Sequence, residues 1–121
     1  VSALRGSGHL AEGTILGALF EHLAALSIHT YAEAGEARVS HLRTRNNDHE
    51  VDLIVQRADG KVLAVEVKLA DRVDDVDVRH LHWLRHRAGD DVIDAMVIYA
   101  GEHAYRRRDD VAVVPLASVG P

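Results

Sequence analysis

Three residues near the middle of the chain have types and spacing suited to metal or phosphate chemistry: Asp52, Glu66 and Lys68. They lie in two apolar segments, His49-Glu50-Val51-Asp52-Leu53-Ile54-Val55 and Val62-Leu63-Ala64-Val65-Glu66-Val67-Lys68, separated by a turn containing Ala58-Asp59-Gly60. Aliphatic and β-branched arms around a short polar turn predict a β-hairpin with a three-residue loop, Gly60 taking the left-handed position. If Arg57 faces Lys61, counting outward pairs Gln56 with Val62, Ile54 with Ala64, and Asp52 with Glu66. Lys68 follows two residues later on the same face. Directly opposed side chains have Cβ atoms about 4.5–5.5 Å apart, where like charges repel. Both arms are apolar on both faces, the pattern of strands covered on each side by helices. Partly buried carboxylates persist in such a pair when a cation, or a raised pKa on one of them, offsets the repulsion. Mg²⁺ suits the pair, since it takes one or two carboxylates and keeps waters and a substrate phosphate. The alternative is an edge hairpin with both carboxylates in solvent.

The elements that must position these residues follow from periodicity. Residues 1–10 read as a loose lead-in, and residues 11–121 as a single domain with one core. From Ala11 to Leu26 the pattern is helical, with Ile15, Leu16, Leu19, Phe20, Leu23 and Leu26 in one arc. Gly17, Ala18, Ala24 and Ala25 form a second arc of small residues with Glu21 in its middle. A helix apolar around most of its circumference is expected to be buried, which would poise Glu21 to enter an interior polar site. The other reading leaves Glu21 in a solvated strip beside His22.

Ile28 to Tyr31 and Ala37 to Arg43 read as strands, the second leading toward the hairpin. Arg43 and Arg45, in a polar turn before Asp52, are candidate phosphate contacts or solvated loop residues. Acidic residues after Lys68 suit a helix start, and the helix should run from Asp75 to Arg87 and stop at Gly89. Val78, Leu81 and Leu84 form its core stripe, while Arg79, His82, Trp83 and His86 project from another face, to meet nucleic acid, a partner or solvent. His82 and His86 have a chelating spacing but no third ligand nearby. Val92 to Tyr99 reads as a buried strand, residues 101–110 as a loop with a solvated Arg106-Arg107-Arg108 run, and Val111 to Val114 as a last strand.

Asp52, a gap of thirteen residues, and Glu66-Val67-Lys68 together resemble the PD-(D/E)XK signature of restriction endonucleases and archaeal Holliday junction resolvases. The resemblance extends through Gly17-x-x-Phe20-Glu21, Glu50-Val51-Asp52-Leu53-Ile54, Val65-Glu66-Val67-Lys68 and Val114-Pro115-Leu116. This order, over residues 13–119, is similar to a domain of unknown function commonly found at the C-terminus of prokaryotic AAA-type ATPases. One departure is that Val51, rather than Pro, precedes Asp52.

The resemblance implies a restriction-endonuclease-like α/β fold, a central mixed sheet flanked by helices. It implies that Asp52, Glu66 and the Val67 carbonyl hold Mg²⁺ or Mn²⁺, that Glu21 completes or orients the shell, and that Lys68 positions the attacking water. The expected activity is hydrolysis of DNA phosphodiester bonds, with a basic rim such as Arg43 and Arg45 holding the strand. The rival expectations are a noncatalytic DNA- or protein-binding accessory module of an AAA-type ATPase, and a protein-interaction domain built on Trp83. The ATPase domain of the same longer chain is then the expected partner, and the chain carries no Gly-rich phosphate loop of its own. A start at Val1 without Met fits a segment of a longer protein.

Composition sets the outer limits. A net charge of −5 works against nonspecific DNA binding through the overall field, although a local basic rim suffices for a nuclease. The absence of cysteine excludes disulfides and thiolate metal sites and fits a cytoplasmic setting. No apolar run approaches the roughly 20 residues needed to cross a bilayer, and no signal peptide opens the sequence, so no membrane partner is expected.

Overall fold

The structure, a computed structural model, describes residues 9–46 and 48–119. Helix α1 (His9–Ala34) precedes β1 (Arg38–Arg43), β2 (Glu50–Gln56) and β3 (Val62–Lys68). A 3-10 turn over Asp75–Val78 leads into α2 (Arg79–Ala88). Then come β4 (Val92–Tyr99), β5 (Tyr105–Arg106), β6 (Ala112–Pro115) and the short α3 (Leu116–Val119). The six strands form one mixed sheet in the order β1-β2-β3-β4-β6-β5. It is antiparallel from β1 to β3, parallel across β3, β4 and β6, and antiparallel again at β5. This is the expected α/β architecture of a mixed sheet flanked by helices.

Alternation along β3 separates two cores. Leu63, Val65 and Val67 pack with Ala24, Ile28 and Phe20 of α1, while Ala64 packs with Val78 and Leu81 on the α2 side. Glu66 and Lys68 continue the Ala64 face. The hairpin has the expected loop: Arg57 N–H donates to Lys61 O at 2.9 Å, and Gly60 sits at φ 85°. Its ladder has the expected register, Gln56 opposite Val62 and Ile54 opposite Ala64, and continues to Leu53 opposite Val65.

The other edge of β2 holds an irregularity that the hairpin count does not contain. Ser40 pairs with Ile54, but Leu42 pairs with Val51, so His41 alone opposes both Asp52 and Leu53. The extra residue bulges β2, which lets Val51 and Ile54 both face the α2 side while Leu53 faces α1. Asp52 therefore leaves the regular alternation at the position where the chemistry was expected.

Three expectations are corrected. Ile28 to Tyr31 is helix, not strand, because Ala24, Ile28 and Ala32 form one buried ridge at four-residue spacing. Thr30 adapts by donating its hydroxyl to Leu26 O at 3.0 Å, and Glu36, at φ 57°, lies in the left-handed turn beyond the helix end. The large apolar arc of α1 is not the buried one: Ile15, Leu16, Leu19, Leu23 and Leu26 are 43–56 % exposed. Ala24 of the small-residue arc packs on the sheet with Ile28 and Phe20, its small side chain letting the helix approach the bulky Val65 and Ile98 below, while Ala18 stays exposed. The arginine run is not simply solvated. Arg106 pairs with Asp94 and Asp110, and Arg107, with its side chain 14 % exposed, pairs with Asp75 and Asp109. The expected lead-in falls largely outside the described residues, and among those described no helix is long and apolar enough to cross a membrane.

These burial assignments predict opposite responses in two leucines. Leu81→Ala, at a fully buried site, should cost about 2–5 kcal/mol of unfolding free energy. Leu19→Lys, on the exposed arc of α1, should change it by no more than about 0.5 kcal/mol. Urea melts of the two variants check both values, and a large loss from Leu19→Lys would place that arc in the core.

Candidate active site

The β2 bulge explains where the Asp52 carboxylate goes. The paired register of β2 with β3 ends at Leu53 opposite Val65, and the Val67 N–H beyond it donates to Asp52 Oδ2 at 2.8 Å. A side chain thus takes the place of a ladder carbonyl, and the two strands part at this end of the sheet. Asp52 and Glu66 do not form the expected directly opposed ladder pair. Their carboxyls nonetheless lie within electrostatic reach of each other.

Burial pushes the Glu66 carboxyl up to about 8, and the Asp52 charge beside it adds to the rise. Arg79 pulls in the opposite direction. Asp52 is raised too, by burial first, against the stabilising Val67 N–H; Glu50 raises it further, while His80 and a hydrogen bond with Glu66 lower it. Glu66 Oε1 is buried and has no hydrogen-bond partner among the described residues. An orphaned carboxylate oxygen beside a second carboxylate is an uncompensated arrangement, and it fits a cation or a proton.

Two hollows meet along Val67. Asp52 and Glu21 line one of about 170 Å³, on the α1 side. Glu66 and Lys68 line the other, of about 250 Å³, whose far wall carries Asp77, Arg79 and His80. The structure thus gathers the four expected site residues around one end of the sheet, Asp52 and Glu21 lining one hollow and Glu66 and Lys68 the other. Glu21 is solvent-exposed at the rim rather than held in an interior shell. Lys68 Nζ is bonded to Asp77 Oδ2. Burial would raise Asp77, but Lys68 and the Asp74 N–H, at 2.7 Å, outweigh it and hold its carboxyl below the usual range. No group of three or more His, Asp or Glu side chains gathers in metal-holding geometry among the described residues. Asp52 and Glu66 are the pair available.

The expected nucleic-acid contacts have a different setting. Arg43, at the end of β1, pairs with Glu50 at 3.3 Å, and Arg45 is exposed in the following turn. The α2 face does not project as one cluster. His82 Nε2 meets Asp109 Oδ2 at 2.8 Å, whereas Trp83 stacks on His49, ring centroids 4.2 Å apart. Asp77, His49 and His80 are site neighbours that sequence reasoning passed over. An acid just before the α2 helix was the only signal for Asp77. His49 and His80, 31 residues apart, meet through tertiary packing alone.

Residues 16–119 match the family described as a domain of unknown function, DUF4143, and the chain belongs to that family. No curated protein and no solved structure matches the chain.

The Glu66 environment fixes the sign of a pH effect on stability. In metal-free solution the folded carboxyl keeps its proton to about pH 8, whereas the unfolded one releases it near its ordinary 4.5. Between those values the folded state binds more protons. The Glu66 contribution to stability is therefore full below about pH 4.5, shrinks as pH rises, and levels off above about pH 8. Glu66→Gln should remove this slope, gaining on wild type by on the order of a few kcal/mol between pH 5 and pH 8.5. Urea melts of both proteins in EDTA across that range check it; parallel pH profiles would show that Glu66 titrates normally.

Proposed function

We propose that this member of the DUF4143 family is a metal-dependent nuclease domain that hydrolyses DNA phosphodiester bonds. The observation that carries the reading is the buried Glu66 Oε1 beside Asp52, without a hydrogen-bond partner among the described residues, on a strand whose next residue on the same face is Lys68. The resemblance to the PD-(D/E)XK nucleases and to their restriction-endonuclease-like fold supports it, through Asp52, Glu66-Val67-Lys68 and Glu21. The six-stranded mixed sheet flanked by helices is compatible with that fold.

Asp52, Glu66 and the Val67 carbonyl would hold Mg²⁺ or Mn²⁺, with Glu21 reaching from the rim through water. When bound, such an ion polarises a phosphoryl oxygen and lowers the pKa of a coordinated water. The chain's own residues do the rest. The Val67 N–H fixes the Asp52 carboxylate in place, so that this oxygen pays no orientation cost when a ligand arrives. Glu66 supplies negative charge in a desolvated position, where its attraction for a cation is least screened. Lys68 brings a positive charge to the same hollow, with Asp77 holding its ammonium group. There it can stabilise charge developing on a phosphate.

A second reading, a noncatalytic DNA- or protein-binding module attached to an AAA-type ATPase, draws on two observations. The net charge is −5, and Lys68 is already neutralised by Asp77.

Two measurements separate the readings. Millimolar Mg²⁺ or Mn²⁺ should raise the melting temperature, because a ligand bound only by the folded state stabilises it, and Asp52→Asn should abolish the rise. On labelled duplex, single-stranded and branched DNA with Mn²⁺ at low salt, wild type should cut at least one substrate. Lys68→Ala should lose at least tenfold in rate while keeping the metal-induced shift, and Glu66→Ala should lose both. A wild-type protein that neither shifts with metal nor cuts any substrate returns the domain to the accessory role.

A further inference from the structure

Half of the twelve arginines of this chain are committed to carboxylates. Arg43, Arg57, Arg72, Arg85, Arg106 and Arg107 each lie within 4.0 Å of a carboxylate. Arg79 has no carboxylate partner among the described residues, and it is the arginine that lines the hollow holding Glu66 and Lys68. Its orientation is set by a short chain of rings. Arg79 Nε donates to His80 Nε2 at 3.3 Å, which leaves the imidazole proton on Nδ1. His80 Nδ1 then donates to His49 Nδ1, also at 3.3 Å, and His49 lies flat on Trp83 with an interplanar angle of 10°. With Nε engaged, the two terminal amino groups of the guanidinium remain available on a side chain that lines the hollow. The same tautomer argues against a metal between the two histidines, since Nδ1 of His80 carries its proton.

We propose that Arg79 is the phosphate clamp of this site: its guanidinium, oriented by His80 and His49, binds the DNA backbone phosphate next to the one attacked. The proposal rests on the phosphodiester reading of Asp52 and Glu66. A guanidinium presents parallel donors that match two phosphate oxygens, which the Asp77-bound Lys68 ammonium cannot do. Arg79 and Glu66 line the same hollow, and the Arg79 charge favours the ionised Glu66 carboxyl. Of the expected rim, Arg43 is paired with Glu50, whereas Arg79 lines the hollow that holds Glu66. His80 and His49 are positioning residues in this arrangement.

Fluorescence anisotropy with labelled duplex and single-stranded DNA, Ca²⁺ replacing Mg²⁺ and salt varied from 50 to 200 mM, tests the clamp. Arg79→Ala should weaken binding about tenfold and reduce the salt dependence by about one phosphate contact. His80→Ala keeps the charge but frees the guanidinium, so affinity should fall by a smaller factor with the salt slope intact. Arg38→Ala, the same charge change on β1 opposite Gln56, is the control and should stay within about twofold of wild type. The Mn²⁺-induced melting shift is recorded for every variant. Arg79→Ala indistinguishable from Arg38→Ala overturns the clamp, as does a wild-type protein that binds neither DNA at 50 mM salt. A metal shift that survives in Arg79→Ala while affinity falls supports both readings; a clamp effect without any metal shift in wild type leaves the clamp standing and removes the metal site.

Discussion

The hydrogen bond from the Val67 N–H to the Asp52 carboxylate is the constraint on which the site depends. A buried backbone donor must find an acceptor, and here a side chain provides it where a strand carbonyl would otherwise stand. That substitution requires the bulge opposite His41, which turns Asp52 out of the strand's alternation. It also parts β2 from β3, so that Glu66 has a neighbouring carboxylate and an oxygen with no hydrogen-bond partner among the described residues, rather than a regular cross-strand partner. Most proteins avoid such a pair, since desolvation and repulsion act on it together. Its persistence in a chain with ample apolar residues is the main physical reason to read this end of the sheet as functional.

How much of this was legible in the sequence depends on how local each signal was. The hairpin register followed from Arg57, Gly60 and Lys61, because turn geometry fixes the pairing of the residues beside it. The nearness of Asp52 and Glu66 followed from the same count. The bulge did not, since it arises on the other edge of β2, where the β1 register decides it. Helix α1 was misjudged for a related reason. Both of its arcs are apolar, and hydropathy alone favours burying leucines over alanines. The sheet decided otherwise, because Ala24, Ile28 and Ala32 form a narrow ridge that fits against large side chains below. Pairings such as Lys68 with Asp77, or His49 with Trp83, join segments whose approach no spacing rule encodes.

The acidic balance of the chain is also more structured than its total implies. Many carboxylates are committed to arginines near β4, β5 and β6, where Arg106 bridges Asp94 and Asp110. Exposed pairs of this kind stabilise little individually. Arg107 differs, because its guanidinium is largely buried and also donates to Val73 O at 3.1 Å. It ties the β5–β6 turn to the segment entering α2. Net charge therefore says little about the field at the site, where Arg79, Lys68 and two carboxylates of raised pKa set the local balance.

Helix α2 shows how the two ends of this network serve one purpose. Successive residues on a helix point about 100° apart, so three directions are available within a single turn. Leu81 and Leu84 use one of them to reach the core beneath. His82 and Arg85 use a second, toward the β5–β6 turn: His82 meets Asp109, and Arg85 donates to the carbonyls of Asp109 and Asp110 at 3.1 and 2.6 Å. His80 and Trp83 use the third, toward His49 at the start of β2. A helix of ten residues is too short to be stable alone, and tethers on two flanks besides its buried stripe hold it in one orientation. Arg79 begins this helix, so its place in the lining of the Glu66 hollow is inherited from contacts made farther along it. The wall that faces the carboxylates is thus fixed by packing remote from them, which is how a small domain can present charged groups at a set distance without a rigid loop.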